Sequence, residues 1–96
     1  MVVREQTASL TKTLFEQGKE QARSGDFQTA LTIFNQLIEG SADDAEAYGH
    51  RCVVRHRLGD QEGAINDCQR AAQLYLSRGQ PNQHQYALKM LGRLTQ

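Results

Sequence analysis

Apolar residues along this chain recur every three to four positions, the period of a helix lying on a core. No stretch keeps the alternation of two that a strand facing a core would need. Leu10, Leu14, Gly18 and Ala22 form one stripe, with Lys12, Glu16 and Lys19 on another face, which predicts a first helix stopped by Gly25. Asp26 is placed to cap a second helix whose apolar face is Phe27, Ala30, Leu31, Phe34, Leu37 and Ile38, with Gly40 as its end. After a short loop, Asp43 and Glu46 have the spacing of a capping box and open a third helix running to Leu58. Gly59 and Asp60 repeat the stop and cap, and a fourth helix carries Ala64, Ile65, Cys68, Ala71, Ala72, Leu74 and Tyr75 up to Gly79. Pro81 and Asn82 start a fifth, with Tyr86, Leu88, Leu91 and Leu94. The pattern predicts an all-α fold.

Two of these helix pairs are versions of one unit. Gly25-Asp26-Phe27 with Ala30-Leu31 recurs as Gly59-Asp60-Gln61 with Ala64-Ile65, a shift of 34 residues. The same shift carries Leu14 onto Tyr48, Gly18 onto Cys52, Phe34 onto Cys68, Leu37 onto Ala71 and Ile38 onto Ala72. Each pair suits one role: Gly frees the turn, Asp caps the helix after it, and small side chains at Gly18, Cys52, Ala30 and Ala64 let helices cross closely. A helix pair this short cannot bury its apolar face alone, so neighbours must stack.

On these residues the chain resembles the tetratricopeptide repeat family. The marks read Leu14, Gly18, Gly25-Asp26-Phe27, Ala30, Phe34 and Leu37 in the first unit, and Tyr48, Cys52, Gly59-Asp60, Ala64, Cys68 and Ala71 in the second. The resemblance implies a single domain over residues 1–96: one repeat at 11–44, a second at 45–78, and a capping helix at 82–95 that resembles the opening of a third unit delayed by six residues. It implies an αα superhelix. Three departures stand out: Gln21 and Arg55 where the family usually has an aromatic, Gln61 in place of the turn aromatic, and no Pro closing either unit.

The resemblance also implies a function, protein–protein interaction as an adaptor or scaffold, with no catalysis and no cofactor. In the family the first helix of each unit lines a concave surface that holds a partner's peptide. By register that stripe is Lys12, Glu16, Lys19 and Arg23, then Glu46, His50, Val53 and Arg57, then Tyr86, Met90 and Arg93, with Phe15 beside it. The candidate partner-binding residues are therefore Lys12, Phe15, Lys19, Arg23, His50, Val53, Arg57, Tyr86, Met90 and Arg93. Cations outnumber Glu16 and Glu46 along it, so the expected ligand is an acidic segment. Gly49 also lies beside the stripe, and a glycine inside a helix costs about 1 kcal/mol relative to alanine. Phe15 packing over it is the expected reason; a pocket for a ligand side chain is the other. One subset of the family clamps a chaperone's C-terminal carboxylate with Lys and Asn on the groove face. Phe15, Lys19, His50, Tyr86 and Met90 stand at those places here, and the Asn pair and later basic pair are missing, which argues against that clamp.

Charge adds one alternative. The formal net charge is zero, yet the first half is acidic and the second basic, so a self-associating structural subunit is the second reading. The basic run His50–Arg57 raises nucleic-acid binding, which neutral overall charge, few aromatics and helical spreading of the side chains argue against. Cys52 and His56, four apart, do not by themselves make a metal site. In the resembled fold Cys52 and Cys68 face each other across one helix pair, within bridging reach, and in a reducing compartment are expected to stay thiols. No apolar run is long enough to span a membrane or act as a secretory signal, and the expected location is the cytoplasm.

Overall fold

The structure, a computed structural model, describes residues 2–96, and their side chains from Leu10 onward. Five helices follow one another: α1 (Val2–Ser24), α2 (Phe27–Gly40), α3 (Ala45–Arg57), α4 (Gln61–Ser77) and α5 (Pro81–Leu94). No strand occurs among the described residues, and each helix packs chiefly on its neighbours in the chain; α1 and α3 touch only thinly.

The turns form as the Gly-Asp pairs dictate. Gly25, Gly59 and Gly79 take φ of 93°, 87° and 67°, a left-handed geometry that glycine reaches without steric cost. Asp26 then caps α2 by accepting from the Thr29 backbone N–H at 3.1 Å, and Asp60 caps α4 by accepting from Gly63 N–H at 3.0 Å. The third helix departs from expectation. Its cap is Asp44, which accepts from Ala47 N–H at 3.1 Å, while Asp43 instead accepts from the Ser41 hydroxyl. Two adjacent aspartates present the same cap signal, and the start of α3 at Ala45 decides between them. Gly40 is the last residue of α2 but not a left-handed one; Ser41, in extended backbone, caps the helix through its N–H to Leu37 O.

The core is built where small and large positions meet. Phe34 is fully buried on α2, and its ring leaves no room opposite: a Cβ at Gly18 would lie 2.9 Å from Phe34 Cζ. Around it gather Ala30, Leu37, Ala47 and Val54. On α4, Ala71, Ala72 and Tyr75 pack with Ala45 and with Ala87 of α5, and Cys52, Ala64, Cys68 and Leu94 form the remaining cluster. Both cysteines are buried free thiols. Of the leucines on α5, Leu94 is buried and Leu91 half-buried, whereas Leu88 is 40% exposed and Ala87 takes the inward place.

Among the described residues one charged side chain lies inside this core. Asp67 on α4 is 3% exposed and accepts from Arg51 Nε and Nη2 at 2.8 and 2.7 Å, a bidentate pair. Arg55 Nη1 adds a third bond at 3.0 Å, and Arg51 Nη1 reaches Asn35 on α2 at 2.9 Å. A single network thereby joins α2, α3 and α4.

Candidate functional site

Gly49 and Val53 on α3, and Tyr86 and Met90 on α5, face each other across a cavity of about 110 Å³ floored by Cys68, Ala71 and Tyr75 of α4. Helical spacing explains the walls: Glu46, His50 and Val53 follow one stripe of α3, and Tyr86 and Met90 are one turn apart on α5. Toward the helix ends it continues into a cleft of about 360 Å³ lined by Val53, His56, Arg57, Met90 and Arg93. Val53 and Tyr86 remain 37% and 65% exposed, apolar surface that no neighbour covers.

Gly49 accounts for the opening. A Cβ there would meet no atom within 4 Å, so Phe15 does not pack over it. The expected packing is thus corrected: Phe15 turns instead to Phe34 and His50, edge-on at 6.1 and 5.1 Å between ring centroids. The geometric reason is that His50, one residue on, stacks flat on Phe34 at 5.6 Å and takes the place beside Phe15.

His50 therefore has two faces, one on the aromatic cluster beneath α1 and one on the cavity. Burial, and then the nearby Lys19 charge, hold its pKa below the ordinary histidine value, outweighing Glu46, Asp44 and Glu16. The unfolded chain then binds a proton more readily than the fold, so stability is full above the ordinary histidine pKa of about 6.5 and is lost as pH falls through it. His50→Phe, which keeps the stack and removes the proton site, is expected to shrink the fall in melting temperature between pH 7.5 and 5.5. An equal fall in both proteins would show that His50 does not drive the acid sensitivity.

At the other end of the cavity, burial and the Glu46 and Asp44 carboxylates push the Tyr75 phenol up to about 12. The floor thus stays neutral and largely apolar. Cys68 lines this floor, and the adjoining Cys68 thiol, then burial, raise the Cys52 thiol. Cys52 Sγ also lies 3.8 Å from Met90 Sδ.

The structure divides the candidate residues. His50, Val53, Tyr86 and Met90 share the cavity, and Val53, Arg57, Met90 and Arg93 share the adjoining cleft. Lys12 shares a shallow cleft between α1 and α3 with Phe15, Asp44 and Glu46, and it also lies with Arg23 on an open polar face of α1 beside Glu16 and Glu20. Lys19 pairs with Glu16 at 3.4 Å and lies over the Phe15 ring; Arg23 pairs with Glu20 at 3.1 Å. The α1 stretch of the stripe is largely self-compensated in charge. Arg57 is spread over the Phe27 ring at 4.9 Å. Sequence reasoning missed the cavity floor, Cys68, Ala71, Tyr75 and Ala87, although the unforced glycine at 49 was its signal.

The basic run His50–Arg57 has no common face. Arg51 and Arg55 turn inward to Asp67, Arg57 covers Phe27, and His50 joins the aromatics. Cys52 and His56 do not converge, since His56 Nδ1 faces Gln61 Oε1 at 3.0 Å. Among the described residues no three His, Cys, Asp or Glu side chains cluster as metal ligands, and no helix is long and apolar enough to cross a membrane.

Comparison with known proteins bears on the fold. No family model matches the chain. Tetratricopeptide repeat protein 36 of Mus musculus is 42% identical over 69 residues, covering 72% of this chain and 37% of the mouse protein. Its Homo sapiens counterpart is 36% identical over 85 residues, covering 88% and 45%. The chain thus spans less than half the length of these curated relatives. Among solved structures, the crystal structure of a tetratricopeptide repeat domain protein from Salinibacter ruber superposes with a TM-score of 0.80 at 18% identity, over 88% of this chain and 96% of that one. The Yersinia enterocolitica type III secretion chaperone SycD, solved with a peptide of the translocator YopD, gives 0.63 at 18% identity, over 90% and 76%.

Proposed function

The chain belongs to the tetratricopeptide repeat family, and from that premise we propose that it is a protein-interaction module, not an enzyme, holding a partner's segment in the groove between α3 and α5. The observation that carries the reading is the cavity over Gly49. A helix-interior glycine costs about 1 kcal/mol relative to alanine, and among the described residues nothing uses the space it frees. Apolar walls with a polar rim are the makeup of an anchor pocket, where one buried side chain supplies most of the affinity. At about 110 Å³ the cavity suits one aliphatic side chain. SycD, a chaperone of similar fold, is solved with a peptide, which supports a peptide segment as the ligand class.

In this reading residues 11–44 and 45–78 are the two repeats and α5 opens a third. Arg57 and Arg93 at the mouth favour acidic residues flanking the anchor, while Lys12, Lys19 and Arg23 contribute little because glutamates one turn away answer two of them. Groove charges of this kind chiefly raise the association rate and select partners.

A displayed-peptide library panned against the chain tests the proposal. Selected peptides are expected to share one aliphatic position and to lose about tenfold or more in affinity for Gly49→Leu, whose side chain fills the cavity. That substitution adds a better helix former where there is room, so the melting temperature should hold or rise. Peptides that bind Gly49→Leu as well as the parent would place recognition elsewhere.

A further inference from the structure

Three sulfur atoms come together where α3, α4 and α5 join, and we propose that Cys52, Cys68 and Met90 bind a single Cu(I) ion. The internal repeat explains why they converge. Gly18 of α1 lies hard against Phe34 of α2, and the His50 ring of α3 stacks on Phe34 at 5.6 Å. Moved on by 34 residues, Gly18 becomes Cys52 and Phe34 becomes Cys68. Moved on by 34 residues plus the six-residue delay of α5, His50 becomes Met90. What is an aromatic contact in the first unit is an all-sulfur contact in the second.

The distances suit a metal ion. Cys52 Sγ lies 3.8 Å from Met90 Sδ, and the Cys68 thiol adjoins Cys52 in the same buried cluster. Three sulfurs around one ion, each at a metal–sulfur bond of about 2.3 Å, stand about 4 Å from one another. Both thiols are buried but not sealed off. Cys68 and Met90 border the 110 Å³ cavity, and Cys52 and Met90 border the adjoining cleft. Met90 is half-buried and unbranched, so it can turn about its own bonds to admit an ion without shifting α5.

The donor set selects the ion. Two thiolates and a thioether are soft ligands, which suit Cu(I). Zn(II) calls for a fourth ligand, and the cluster around the sulfurs is otherwise Ala64, Leu94, Ile65 and Leu91. The Asp67 carboxylate, beside Cys68 in sequence, is already held by Arg51 and Arg55. Binding replaces two S–H bonds by two Cu–S bonds, and both protons leave to solvent. Copper stays monovalent, so the step consumes no oxidant or reductant. The complex carries one net negative charge, and Arg57 and Arg93 line the cleft next to Cys52 and Met90, where they favour it. The inference stands without the groove reading.

The probe is Cu(I) itself, titrated anaerobically into the whole chain against the chromophoric chelator bathocuproine disulfonate. The chain is expected to withdraw one copper from the chelator. X-ray absorption should then show sulfur neighbours alone, at about 2.3 Å. Cys52→Ala and Cys68→Ala are each expected to weaken binding about a hundredfold or more, and Met90→Leu about tenfold. Met90→Leu conserves volume, so its fold should persist by circular dichroism and it reads the site even if a cysteine variant fails to fold. Four results overturn the proposal: a chelator that keeps all the copper, binding that survives both cysteine substitutions and is therefore adventitious, binding indifferent to Met90→Leu, or copper displaced by an equal amount of Zn(II).

Discussion

Asp67→Ala is expected to cost about 3–5 kcal/mol of unfolding free energy, a large part of the 5–15 kcal/mol typical of a small domain. The carboxylate is 3% exposed and neutralises Arg51 bidentately and Arg55 from a second side. Its removal leaves two guanidinium groups short of a counter-charge: Arg51, with a side chain only 13% exposed, loses Asp67, and Arg55 is left with Asp60 at 3.7 Å. The penalty comes from those stranded cations more than from the lost attraction, so replacing the whole set should cost less than removing one member. Asp67→Leu combined with Arg51→Met and Arg55→Met is therefore expected to recover most of the lost stability. Urea denaturation of the three proteins measures both effects, and a loss below about 1 kcal/mol for Asp67→Ala would place the network in the class of weak, solvent-screened pairs.

Removing residues 80–96 is expected to abolish the cooperative melt. α5 seals the α4 face: Ala87 packs among Ala71, Ala72 and Tyr75, and Leu94 closes over Cys52, Ala64 and Cys68. His84 faces Ala72 O at 2.9 Å, and the Gln61 amide donates to Leu94 O, so polar groups on α4 also lose partners. Without α5 two helix pairs remain with an apolar face bare, the condition in which repeat stacks aggregate. Because a truncated chain is a blunt tool, Leu94→Ala gives the graded version, with an expected loss of about 2–5 kcal/mol. A truncated protein that melts at the parent temperature would make α5 an ornament on a self-sufficient four-helix core.

What could be read in advance was whatever the chain encodes locally. Gly25-Asp26 and Gly59-Asp60 specify a left-handed residue and a cap within two positions, and both formed as written. Asp43 and Asp44 show the limit, since adjacent residues of one type leave the register to the packing of α3. The Asp67 network was illegible for a different reason. Its partners lie 16 and 12 residues away on another helix, and nothing in local spacing joins them. Arg55 did signal it indirectly, as a cation standing where the repeat usually has an aromatic. The cavity needed three helices at once, so Gly49 announced free space without saying whether Phe15 would fill it.

The order of packing has a kinetic consequence. α1 rests on α2, α2 on α3, α3 on α4 and α4 on α5, with almost nothing between helices distant in sequence. Contact order is therefore low, and the entropy of closing long loops hardly enters the barrier to folding. Such a chain should fold in the microsecond-to-millisecond range, and since the Arg51–Asp67 link closes a loop of only 16 residues, the α3–α4 pair is the natural nucleus from which helix formation spreads to both ends.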